Sequence, residues 1–265
     1  MTTKQRKHIL FDEASHTYTN VETKELYQSA TSFVSRFHEK FDANAIALNL
    51  VTNIPKYQAK YQGIELELAV ADIKREWKRR TDIGNTVHKI LENHFLGINV
   101  FDPTKEEGWN KRILMLTDAY DHLNLKEKHK GYEFFSEMIL YSDRHKLAGQ
   151  SDKVLINHEL HSFKVLDYKT NQKGIEKTSY RDKRMFAPVS HLPDCNYYHY
   201  ALQLSLYAYF LEQELGYSCA GLELLWVNTN SPDFVVIDSI AVPNLIEEID
   251  LLLDHHQLLI SREIA

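Results

Sequence analysis

The stretch HSFKVLDYKTN, residues 161–171, sets an Asp and a Lys two positions apart at the end of an apolar run. Side chains alternate along a β-strand, so residues i and i+2 share a face. Phe163, Val165, Asp167 and Lys169 therefore fall on one face, and Lys164, Leu166 and Tyr168 on the other. The charged pair projects side by side at the end of a face that is otherwise core-forming. Alone, such a pair suits an ordinary ion pair at a strand end as well as a site.

Working outward, GYEFFSEMILYSD (131–143) and KLAGQSDKVLIN (146–157) read as two preceding strands. The NHEL segment between the second and third strands is short enough for a hairpin. Pairing across it would bring Asp152 towards Asp167, with the register left open. Residues 171–196 form a basic, aromatic loop, and YYHYALQLSLYAYFLEQELG is a helix ending at Gly216. AGLELLWVN and DFVVIDSIAV are two more strands, and LIEEIDLLLDHHQLLIS is a closing helix. Upstream, residues 8–20 read as a short strand and turn. LYQSATSFVSRF then leads into a helix with Ser29 or Thr31 as N-cap before Phe33, Val34 and Phe37. Residues 42–96 are mainly helical, with Val87, Ile90, Leu91 and His94 on one helix face and Gly97 as the stop. GWNKRILMLTDAYDHLNL is another amphipathic helix. The succession is helices first, then βββαββα. It implies one α+β domain over 1–265, an α/β sandwich with a helical N-terminal part (1–125) and a core (126–265).

Composition bounds the function. At 43% hydrophobic and 11% aromatic, the 265 residues can bury a substantial core. No apolar run approaches the roughly 20 residues that span a bilayer. MTTKQRKHILFDE lacks the apolar region and cleavage site of a secretory signal. Cys195 and Cys219 make no CxxC and no zinc spacing. A cytoplasmic protein without a membrane partner is expected. The net charge of -6 argues against a nucleic-acid partner, but its distribution argues for one. Windows 74–89 and 169–184 each hold six Lys/Arg against two acids, so each is +4 and the remainder is -14. Basic patches on an acidic body suit a protein that meets a polyanion at one face, and equally suit solvated helix and loop faces.

Two carboxylates on adjacent strands repel unless a cation lies between them. Oxygen ligands suit Mg²⁺ or Mn²⁺, and a lysine beside the metal can steady charge on a phosphate. Four short pieces stand in order along the chain: GNTVH (Gly84–His88), GQSD (Gly149–Asp152), DYK (Asp167–Lys169) and QLSLY (Gln203–Tyr207). Together they resemble the PD-(D/E)XK nuclease superfamily, in particular its RecB-type exonuclease branch, which includes phage exonucleases and the mitochondrial genome maintenance exonuclease. The resemblance covers 84–207. GNTVH has one residue more between Gly and Thr than the simplest form, and Ser151 stands where the superfamily name has Pro.

The resemblance implies a restriction-endonuclease-like mixed β-sheet flanked by helices. It makes His88, Asp152, Asp167 and the backbone carbonyl of Tyr168 metal ligands, and Lys169 the catalytic lysine. Gln203 and Tyr207, four apart on one helix face, would meet the active site and the nucleic-acid backbone. Glu92, one turn after His88, either orients it or is a solvated helix glutamate. Glu137, an acid amid apolar neighbours, is an accessory near the site or an edge position. Mg²⁺ or Mn²⁺ is the implied cofactor. Some relatives hold an iron–sulfur cluster on four Cys, which two cysteines cannot supply. Arg79, Arg80, Thr170, Lys173, Arg181, Lys183, Arg184 and Tyr197 are candidate nucleic-acid contacts, cations on phosphates and rings on bases.

The implied activity is metal-dependent hydrolysis of phosphodiester bonds at DNA ends, with single strands favoured. Its context would be replication, recombination or repair, with proteins of those processes as partners. The N-terminal HTYTN…SATSFVSRF is phage-like. A structure-specific endonuclease of the same fold and a non-catalytic nucleic-acid-binding relative stay open beside it. Oligomeric state, cleavage polarity, DNA or RNA preference and the number of metals stay open as well.

Overall fold

The computed structural model describes residues 8–13 and 15–264. The chain divides into two compact units, residues 40–100, and residues 1–39 together with 101–265.

The larger unit begins with strands β1 (Ile9–Asp12), β2 (Thr17–Asn20) and β3 (Leu26–Ser29), then a short helix α1 (Ala30–Val34). Of the two candidate caps, Ser29 is the one that caps α1, its hydroxyl accepting from the Ser32 N–H. The single strand expected over 8–20 is an antiparallel pair, Ile9 opposite Asn20 through Asp12 opposite Thr17. The run Leu26–Ser29 is itself a strand, pairing with β2 and, in parallel, with residues 147–148. Four-residue segments are too short to show a period, so their partners decide their conformation.

The smaller unit holds α2 (Ala43–Asn53), α3 (Pro55–Lys60) and α4 (Leu66–Phe95). Asp42 caps α2 by accepting from the N–H groups of Asn44 and Ala45. Ala47, Tyr61, Ala69 and Ile73 form its core. Gly97, at φ 71, follows the end of α4 in the left-handed conformation, its N–H donating to the His94 carbonyl.

From residue 101 the larger unit resumes with α5 (Glu107–His122) and α6 (Leu125–Lys128). The expected βββαββα comes next: β4 (Glu133–Ser142), β5 (Leu147–Asn157), β6 (Ser162–Lys169), α7 (Asn196–Leu215), β7 (Ser218–Asn228), β8 (Val236–Val242) and α8 (Ile246–Ile264). Strands β4, β5 and β6 run antiparallel, β7 lies parallel to β6, and β8 closes the edge antiparallel. The result is an eight-stranded mixed sheet flanked by helices. Phe163 and Val165 of β6 pack with Ala201, Leu204 and Ala208 of α7 in the main core, together with residues of α1 and α8. Tyr168 points the other way, to Tyr120 of α5, with hydroxyls 3.1 Å apart.

Strand β5 is irregular in two respects. One of its edges is shared, with β3 pairing at 147–148 and β6 at 153–157. Residues 149–152 lie between these neighbours. The alternation of β4 and β5 also breaks at one level. Ser136 pairs with Lys153 and Met138 with Ser151, while Glu137, at φ 49, and Asp152 lie between those pairs. On one side of the break Val154 and Ile156 face the main core; on the other Met138, Leu140 and Leu147 do.

Candidate active site

Asp152, Asp167 and Lys169 come together at this break, under helix α7. The β5–β6 register runs Asn157 to Ser162 through Lys153 to Leu166. Continued by one residue it sets Asp152 beside Asp167. Asp152 accepts the Tyr168 backbone N–H at 2.7 Å, so its carboxylate leans across onto β6. Asp167 and Lys169 form an ion pair on the α7 side of the sheet. Their side chains are only 5% and 16% exposed, so water screens the pair little.

Burial opposes the Lys169 charge more than any other single influence, but Asp167, then Asp152 and the Tyr200 side chain, outweigh it. The ammonium is held above lysine's usual range. Two carboxylates and one ammonium leave a net charge of about -1 in a low-dielectric place, which favours a further cation.

Helix α7 supplies the roof. Tyr200, Gln203 and Tyr207 recur at i, i+3 and i+7, one face of a helix. The Lys169 ammonium sits 4.6 Å from the centre of the Tyr200 ring. The Tyr200 hydroxyl donates to Asn171 Oδ1 at 3.1 Å, tying the ring to the end of β6. Gln203 Nε2 donates to the Tyr207 hydroxyl at 3.1 Å. Burial raises the Tyr207 pKa, Gln203 lowers it, and Asp167, Tyr18 and Asp152 raise it again. Tyr207 therefore stays a neutral phenol.

Gly149 is what lets Tyr207 approach. A Cβ there would lie 2.5 Å from Tyr207 Cε1, 2.8 Å from its hydroxyl oxygen and 3.0 Å from the Ala30 Cβ. The Gly of GQSD and the Tyr of QLSLY are thus one packing unit. Tyr18 of β2 joins from the N-terminal strands. It is buried, and burial with the Glu137 charge pushes its pKa up to about 12 against a Gln150 backbone contact that lowers it. Glu137 itself is solvent-exposed.

Lys169, Asp152, Asp167, Gln203 and Tyr207 thus share one neighbourhood, and the Tyr168 carbonyl lies between Asp167 and Lys169 in the chain. The oxygen-only donor set of Asp152, Asp167 and that carbonyl fits a hard divalent cation. His88 and Glu92 stand one turn apart on α4 in the smaller unit, His88 half-buried and Glu92 buried, so Glu92 is no solvated glutamate. Tyr18, Tyr200 and Asn171 were not expected. Tyr200 was detectable by continuing the QLSLY face one turn backwards; Tyr18, more than a hundred residues from the carboxylates, gave no local signal.

The basic candidates divide. Arg79 and Arg80 both bind Glu76 along their own helix at 2.9 and 3.0 Å, and hold that carboxyl at about 2. Arg75 pairs with Asp72 and Lys78 with Asp82. Much of the 74–89 window is thus compensated within one helix. Lys183 pairs with Glu39, and Arg184 donates to the His191 carbonyl. Arg181 lies against the Tyr180 ring, Lys173 is exposed and Thr170 is half-buried. Tyr197 does not offer a ring for stacking on bases: it is 9% exposed, and its hydroxyl donates to the Ala241 carbonyl. Its position in the first turn of α7 turns it into the core. Tyr180 and Phe186 are the exposed rings of this loop.

No protein-family profile and no curated protein matches the chain. Among solved structures, it is similar to a protein described provisionally as an exonuclease from Eubacterium rectale, at 11% identity, covering 89% of this chain and 80% of that one, with a TM-score of 0.40. It is also similar to an alkaline exonuclease from Laribacter hongkongensis, at 10% identity over 88% and 93% of the two chains, TM-score 0.33. A phage-related exonuclease from Haemophilus somnus overlaps 87% of this chain and 99% of its own at 8% identity, TM-score 0.26.

Proposed function

We propose that this chain is a metal-dependent deoxyribonuclease that hydrolyses phosphodiester bonds at DNA ends. The observation that carries the proposal is the convergence of Asp152, Asp167 and a cationic Lys169 at a break between strands, under Tyr200, Gln203 and Tyr207. Asp152, Asp167 and the Tyr168 carbonyl would hold Mg²⁺ or Mn²⁺. When bound, the ion polarises the scissile phosphate and makes water a better nucleophile.

The remaining work falls to the chain's own groups. Lys169 stays an ammonium, so it donates hydrogen bonds to the attacking water and the phosphate oxygens and offsets the charge that grows there. The Tyr200 ring and the Asp167 carboxylate both hold that ammonium. Tyr207, a neutral phenol, keeps a proton to donate, and Gln203 fixes its direction. Lys173, Thr170 and the exposed Tyr180 and Phe186 lie on the loop after β6, where a strand leaving the site would run.

The test is cleavage of end-labelled linear and closed circular DNA with Mg²⁺ or Mn²⁺, for the unsubstituted chain and for Lys169→Ala. Linear DNA should be degraded from its ends and circles left intact, with Lys169→Ala inactive. Nicked circles would replace the exonuclease by an endonuclease. Full activity in Lys169→Ala would sink the mechanism.

A further inference from the structure

A second group of metal-ligating side chains lies in the larger unit at the start of α7, and the nuclease chemistry makes no use of it. His38, Asp194 and His199 each offer one ligand atom, and these atoms lie within 4.8 Å of one another. His38 follows the 3₁₀ turn Ser35–Phe37, Asp194 precedes the α7 N-cap, and His199 is in the first turn of α7. His199 Nε2 is 2.7 Å from Asp194 Oδ1. The two imidazoles stack face to face, centroids 3.8 Å apart and planes 15° apart.

Outer partners already orient two of the three groups. His38 Nδ1 lies 3.1 Å from the Glu39 carbonyl oxygen. Donating a proton there leaves the lone pair on Nε2, the tautomer a metal requires. Asp194 Oδ2 accepts the Glu39 N–H at 3.3 Å, which leaves Oδ1 on the histidine side. One residue, Glu39, thus sets both a histidine and the carboxylate through its backbone. The Asp194 and His199 side chains are 9% and 19% exposed, so the place is enclosed but reachable.

We propose that His38, Asp194 and His199 form a second metal site, separate from the oxygen-lined one, that takes a borderline transition ion of the Zn²⁺ class. Two imidazole nitrogens with one carboxylate suit Zn²⁺ and disfavour Mg²⁺. Zn–N bonds of about 2.0–2.1 Å put tetrahedral ligand atoms about 3.3 Å apart. Closing the present spread of up to 4.8 Å requires the two rings to tilt out of their parallel stack, so that their in-plane lone pairs converge on one ion. Three protein ligands leave the fourth position to water. The ion ties the segment after α1 to the first turn of α7, the helix that also carries Tyr200, Gln203 and Tyr207.

The test uses the full chain, stripped with a chelator and titrated with Zn²⁺ by calorimetry and with Co²⁺ by visible absorption. Asp152→Asn with Asp167→Asn removes the oxygen-lined site; the unsubstituted chain in excess Mg²⁺ is a parallel measurement that needs no substitution. Both should bind one equivalent of Zn²⁺, with the Co²⁺ spectrum of a nitrogen-ligated tetrahedral ion. His38→Gln and His199→Gln, checked for folding by circular dichroism, should each weaken binding more than about 100-fold, because loss of an outer partner alone costs roughly 10–100-fold. No Zn²⁺ bound in excess Mg²⁺, or unchanged affinity in folded His38→Gln, would overturn the site and leave an ordinary His–Asp pair. Neither result bears on DNA cleavage, so this proposal and the nuclease reading fail separately.

Discussion

Replacing Gly149 by Ala tests the packing on which the site rests, because one methyl group would meet the ring of Tyr207. The added carbon would fall 2.5 Å from Cε1 and 2.8 Å from the hydroxyl oxygen, with Ala30 Cβ at 3.0 Å. The ring is fully enclosed and its hydroxyl is held by Gln203, so it cannot swing away without losing that bond. Overpacking of this kind costs about 1–3 kcal/mol. For a chain of this size that lowers the melting temperature by about 2–4 °C per kcal/mol. Gly149 has no left-handed backbone requirement, so with neither contact Ala would be preferred in a strand by about 0.5–1 kcal/mol. In a Tyr207→Ala background only the Ala30 contact remains, so the substitution should cost much less there, giving a coupling of about 1–3 kcal/mol between positions 149 and 207. Urea unfolding of the four chains measures it. An additive cycle, or Gly149→Ala as stable as the original, would show that Tyr207 does not sit on Gly149.

Lys169 makes a signed pH prediction. Its folded-state pKa is raised, so its stabilising contribution is complete below lysine's usual 10.5 and is lost as pH rises through the higher folded value. The stability difference between the metal-free unsubstituted chain and Lys169→Gln should be constant at about 3–5 kcal/mol near neutral pH and shrink only in strong alkali; shrinkage between pH 7 and 9 would contradict it. Tyr200→Ala should lower kcat of the proposed DNA cleavage by roughly 5–30-fold, the worth of about 1–2 kcal/mol of ring contact with the ammonium, while Tyr200→Phe keeps most of it. Equal losses in the two variants would point to the Asn171 hydrogen bond instead. Burial pushes the Cys219 thiol up to about 11 and raises that of Cys195. Both should react slowly with an aromatic disulfide reagent at pH 8 and at once in denaturant, and fast native labelling of the half-buried Cys219 would contradict its raised pKa.

What the sequence determined by itself was local and periodic. Alternation put Asp167 and Lys169 on one face of a strand, and the structure pairs them there. Helical spacing put Gln203 and Tyr207 on one face, and they are hydrogen-bonded. The βββαββα order came from strand and helix periods long enough to read. Three things belonged to the tertiary structure alone. Strands β1 to β3 are four residues each, too short for a period, and exist because each finds a partner. The break at Glu137 and Asp152 reverses which residues of β4 and β5 face the core, so a single period could not be carried through either strand. Tyr18 beside Tyr207, and Tyr207 against Gly149, are contacts between residues far apart in the chain. Charge divided in the same way: the sequence counted six cations in each basic window, but only the folded chain shows Arg79 and Arg80 turned onto Glu76 and Lys183 onto Glu39. A composition records how many charges a segment holds, whereas side-chain geometry decides which of them are already neutralised at home.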